Sequence, residues 1–250
     1  INNSGAIGAN YAVIVDGGAG TIDNTGHVNG GRLGIGLSAG GEVTNASGAT
    51  IAGYDAVQIT GGSGHVYNSG VINAGASGTA VSLPAGFNDI LILYTGSTIV
   101  GTVTGGNTLG GTAHSVLGLA SGSGIGTVSG LGSKYIDFKY IDAVFGTWVL
   151  AGTNVIAPGA TLTVNNGTLV NSAFTQGFVQ LGSLAGYAAP SLTNASGAVI
   201  SGTASGVLGT GGPVGVVNDG LITATSTGGH DVGIGLVAGG SVVNQSAGTI

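Results

Sequence analysis

The residues best equipped for chemistry fall within a dozen positions of one another, in "KYIDFKYIDAVFGTW" (134–148). Asp137, Lys139 and Asp142 stand there with Tyr135 and Tyr140. Two carboxylates, an amine and two phenols are the groups that move protons and steady developing charge in glycan cleavage. Strand alternation puts Tyr135, Asp137 and Lys139 on one face. The plainer reading of the same pattern is a solvated strand face with a weak ion pair, worth about 0–1 kcal/mol. A single Glu and a single Arg in 250 residues favour the plainer reading, because a carbohydrate site is hard to furnish from so few charges. The patch is therefore a candidate interaction surface, and no residue of the chain is expected to be catalytic.

Other chemistry is poorly provided for. His27, His65, His114 and His230 sit in Gly or Asn turns, and no pair has metal-ligand spacing, so no metal and no cofactor is expected. "GIGLSA" (34–39) and "GIGLVA" (233–238) match a loose dinucleotide fingerprint, with Asp55 downstream. A pyrophosphate needs the N-terminus of a helix at that point, whereas "GGEVTN" and "GGSVVN" spell a turn and a strand. Three cations and a net charge of −6 argue against nucleic acid as a partner. No stretch approaches the roughly 20 apolar residues of a spanning helix, and thirteen aromatics are too few for barrel girdles, so no membrane insertion is expected of this segment.

What must position these residues is set by an unusual composition. There are 55 glycines, only 12 charged residues and no Cys, yet 42% of the chain is hydrophobic, mostly Val, Ile, Leu and Ala. Such a chain can pack a β core, and it excludes thiolate chemistry and disulfides. A phrase recurs along it: an aliphatic, one residue, Asn, a short turn, an aliphatic. "IDNTGHV" (22–28), "VTNASGATI" (43–51) and "VYNSGVI" (66–72) are examples. Asn3, Asn24, Asn45 and Asn68 are spaced by 21, 21 and 23 residues; Asn194, Asn218 and Asn244 by 24 and 26. Between these phrases lies a short aliphatic strand closed by a glycine pair, as in "LGIGLSAGG" (33–41) and its near-copy "VGIGLVAGG" (232–240).

Two or three short strands per ~21–26 residues predict an all-β right-handed parallel β-helix, a β-solenoid whose coils stack about 4.8 Å apart. Each coil alone cannot bury its apolar face, and stacking makes the core continuous. The seven asparagines would then line up as structural ladders, their amides bonded along the axis. The rhythm divides the chain into a repeat array (1–83), an irregular connector with the aromatic patch (84–188) and a second array (189–250), expected to run along one solenoid as a fragment of a longer protein.

The connector "SVLGLASGSGIGTVSGLGSKYIDFKYIDAVFGTWVLAGTNVIAPGATLTVNNGTL" (115–169) resembles the passenger regions of bacterial autotransporters, most specifically at Phe138, Gly146, Trp148 and Gly152. The resemblance implies a right-handed β-helix exported across the outer membrane to the cell surface, often for adhesion or aggregation. The expected function is thus a non-enzymatic structural and adhesive stalk. A self-assembling extracellular filament subunit is the first alternative, since coil edges are templates for β-pairing, and a carbohydrate-processing β-helix is the second. The partners these readings leave are other copies of the chain, or a host or surface glycan or protein.

Overall fold

The computed structural model describes residues 1–122, 124–182, 186–226 and 231–250. Among them there is no helix: parallel strands stack as a β-solenoid of about 10 turns, about 23 residues to the coil. The chain forms two compact units, Ile1–Gly118 with Lys134–Lys139, and Leu119–Ser133 with Tyr140–Ile250.

In the first unit each coil contributes to three parallel ladders. One runs through Asn2–Asn3, Gly20–Asn24, Gly41–Asn45, Gly64–Asn68 and Asp89–Tyr94. The long strands Ala6–Val15 and His27–Leu37 serve the other two. Their first halves lead to Thr50–Ala52, Val71–Asn73 and Thr98–Val100. Their second halves lead to Asp55–Ile59, Thr79–Ser82, Thr102–Thr104 and Tyr135–Ile136. Because strand side chains alternate and the register is kept from coil to coil, equivalent residues form columns. Ile22, Val43, Val66 and Leu91 make one inner column, and Ile35, Val57, Val81 and Val103 another, every member fully buried. The aliphatic every-other-residue pattern is thus what closes each coil on its neighbours.

The second unit repeats the arrangement. Its ladders run through Tyr140–Ala143, Thr161–Val164, Val179–Gly182, Ser205–Thr210 and Val232–Leu236; through Ile125–Ser129, Thr147–Ala151, Thr168–Asn171, Ser191–Asn194, Val214–Asn218 and Gly240–Asn244; and through Thr153–Val155, Phe174–Gln176, Val199–Gly202 and Leu221–Ala224. Trp148, Leu169, Leu192 and Val216 form a buried column here. The indole lies over Gly126, where a Cβ would come within 2.5 Å of its ring.

Candidate functional site

The most highly organised polar groups are the asparagines. In the first unit Asn3, Asn24, Asn45 and Asn68 are register partners at the end of successive strands. Each Nδ2 donates to the Oδ1 of the next coil, at 2.8, 2.9 and 2.9 Å. The second hydrogen of each amide reaches the backbone beyond the corner: Asn24 donates to Thr50 O at 3.1 Å and Asn45 to Val71 O at 3.1 Å. The run stops where Leu93 takes the next place in the column, and Asn68 turns its amide to Thr98 O. All the amide dipoles point one way, so each bond polarises the next.

A matching run occupies the second unit, through Asn171, Asn194, Asn218 and Asn244, with Nδ2 to Oδ1 distances of 2.8 Å throughout. Asn171 is an addition to the asparagines singled out from the sequence. Its surroundings, "LVNSAF", lack the glycine turn that marks the other phrases, but it stands 23 residues before Asn194. Leu150 precedes it in the column, so no amide feeds its Oδ1; the Thr175 hydroxyl does so instead, at 2.9 Å. Asn45 and Asn194 open Asn-x-Ser sequons, but both side chains are fully buried and committed to the ladder.

The candidate interaction patch is arranged differently from the sequence expectation. Tyr135, Asp137 and Lys139 belong to the first unit, Tyr140 and Asp142 to the second. Tyr135 continues the aliphatic column after Val103 and is buried, which pushes its phenol above the usual range. The strand ends at Ile136, and Asp137 has a φ of 65°, the one positive value at a non-glycine among the described residues. That left-handed residue breaks the alternation, so Tyr135 faces the core while Asp137 and Lys139 are half-buried. Tyr140 and Asp142 occupy the outer positions of Tyr140–Ala143, and burial pushes the Asp142 carboxyl up. Lys134 passes over the Tyr135 ring, 5.2 Å from its centre, and donates to Ile99 O at 2.8 Å; burial lowers its ammonium.

Asp137 holds its turn through Thr104, whose hydroxyl donates to Oδ2 at 2.9 Å and accepts from Gly106 N at 3.0 Å. Asp tolerates the left-handed region better than most residues, Ala poorly. Asp137→Ala is therefore expected to cost about 1–2 kcal/mol and Asp137→Asn less than about 0.5. Chemical denaturation checks this, and equal losses would refute the turn role.

No family model, curated protein or solved structure matches this chain. The functional reading therefore rests on its own residues. His27 is exposed, His65 and His114 are half-buried, and His230 lies outside the described residues. Among the described residues no three His, Asp or Glu side chains cluster as metal ligands. The second unit has an apolar notch of about 430 Å³ beside Ile156, Pro158, Phe178 and Leu208. Beneath the surface of the first unit lies a polar cluster the sequence pattern does not announce, built on Asp89, Asn107 and Ser115.

Proposed function

We propose that the chain is a structural and adhesive segment of a secreted bacterial surface protein, a passenger of the autotransporter type. The observation that supports this best is the pair of buried asparagine ladders. Polar side chains that a cleft would turn toward a ligand are here turned inward and joined coil to coil, which favours a stack resistant to local opening. The resemblance of 115–169 to passenger regions adds the location: export across the outer membrane, with the outer faces in contact with the surroundings. Those faces are rich in Ser, Thr and Asn and poor in charge, suited to many weak neutral contacts with a glycan or protein surface, or with other copies of the chain. In this reading the chain turns over no substrate.

The test uses the parent protein in its own bacterium. An antibody against this segment should label intact cells, and external protease should remove the label. Beads coated with the purified segment should stick to host or abiotic surfaces more than beads coated with an unrelated protein. Labelling only after permeabilisation would overturn the location, and adhesion equal to the control would overturn the adhesive role.

A further inference from the structure

The Asp89 cluster is buried, lies within the first unit and takes no part in the asparagine ladders. Asp89 occupies the column of Gly20, Gly41 and Gly64. Its carboxyl reaches back to the preceding coil, where Oδ1 accepts the Gly64 N–H at 2.7 Å. Oδ2 lies beside Asn107, on an excursion of the chain between Thr102–Thr104 and Ser115–Ala120, and beside Ser115, where that last strand begins.

The hydrogens in this cluster can be counted. Asn107 Nδ2 has two, and its nearest acceptors are Phe87 O at 2.7 Å and Ser115 Oγ at 2.9 Å; Asp89 Oδ2 is a distant third at 3.4 Å. Asn107 Oδ1 is taken by the Gly86 N–H at 2.8 Å. The one hydroxyl hydrogen of Ser115 goes to Gly105 O at 2.5 Å. A charged Asp89 therefore has no well-placed donor for Oδ2 unless Ser115 turns away and releases Gly105 O. A neutral Asp89 supplies the missing hydrogen itself: Oδ2–H donates to Ser115 Oγ, and every other bond stays. Buried networks of this kind are costly when half satisfied.

We infer that Asp89, Asn107 and Ser115 form an acid-tightened latch, which holds the 105–115 excursion onto the Gly64 and Asp89 coils when Asp89 is neutral and loosens it when Asp89 is charged. Burial, the largest influence, raises the carboxyl from 3.8 to about 6, against the opposing pull of the Gly64 N–H, His65, Asn107 and Ser115, which together do not offset it. For an acid raised on folding, the contribution to stability is complete below 3.8 and is lost as pH rises through about 6. The other ionisable groups on the packed elements are His65 beside Gly64, His114, whose carbonyl accepts the Asp89 N–H, and Asp137 and Lys139, whose backbones touch Gly105 and Ser115.

Hydrogen exchange on the whole chain tests this. After correction for intrinsic rates, amides of Gly64 and 105–115 should be roughly tenfold better protected at pH 5.0 than at pH 7.5. Asp89→Asn should abolish the gain, while His65→Gln with His114→Gln should keep it. A gain that persists in Asp89→Asn, disappears in the histidine variant, or is absent from the native chain would overturn the latch. If Asp89→Asn fails to fold, the native chain decides by itself: a gain confined to Gly64 and 105–115 supports the latch, and one spread evenly over the first unit overturns it.

Discussion

Asn45→Ala is expected to destabilise the first unit by about 2–4 kcal/mol, whereas Thr44→Ala, one residue away on the outer face, should cost less than about 0.5. The two side chains differ little in size, but Asn45 is fully buried and Thr44 is not. Removing the Asn45 amide takes an acceptor from Asn24 Nδ2, and donors from Asn68 Oδ1 and Val71 O. Partial substitutes exist: Asn24 still reaches Thr50 O and Asn68 Oδ1 still holds Gly70 N. Val71 O loses its side-chain partner, and the Asn24 and Asn68 side chains left on either side are buried. A buried polar group left unpaired costs about 1–3 kcal/mol, which sets the lower bound, and the broken continuity of the ladder adds to it. Hydrogen exchange should show the loss concentrated in the coils on either side, at 20–24 and 64–73, with the second unit untouched. An even loss across both units, or one as small as that of Thr44→Ala, would mean that the ladder is ornamental to stability.

How much of this was readable in advance depended on whether a residue's place is set by local chemistry or by register. The coil length was readable, because Asn tolerates a corner and bonds its own kind only when exact equivalents stack; steps of 21 to 26 agree with about 23 residues per coil. The surroundings of Asn171 lack a glycine turn, so its place shows only through its distance to Asn194. Tyr135 illustrates the opposite case. Alternation gives a residue's face only relative to its neighbours, and the absolute face is fixed by pairing with Val103, 32 positions earlier in the chain. One left-handed residue, Asp137, then cancels the alternation itself. Asp89 is a third case: its partner is the Gly64 N–H, 25 positions earlier in the chain, which no local pattern reveals.

The largest loss is expected for Gly41→Ala, at more than about 4 kcal/mol, enough to keep the first unit from forming its native register. Two causes act at once. Gly41 has a φ of 136°, a conformation open to almost no residue with a side chain, which costs about 1–3 kcal/mol. A Cβ there would also lie 2.1 Å from Gly20 O and 2.6 Å from Gly20 N. These are backbone atoms of the preceding coil, so relief requires the two coils to separate, and with them the columns of Ile22 and Val43 and of Asn24 and Asn45. Gly48→Ala separates the two causes. Gly48 also has a positive φ, 82°, but a Cβ there would meet nothing within 4 Å, so only the conformational cost of about 1 kcal/mol remains. Gly240 in the second unit repeats the Gly41 geometry, with a φ of 139° and Val214 O 2.2 Å from the Cβ position, so Gly240→Ala should do to that unit what Gly41→Ala does to the first. Circular dichroism and denaturation of the three variants measure the order. If Gly41→Ala were no worse than Gly48→Ala, the glycine pair closing each "GIGL-x-AGG" phrase would be serving turn flexibility alone. If it is far worse, the pair is what lets one coil lie against the next, and the near-identity of the two phrases follows from that contact.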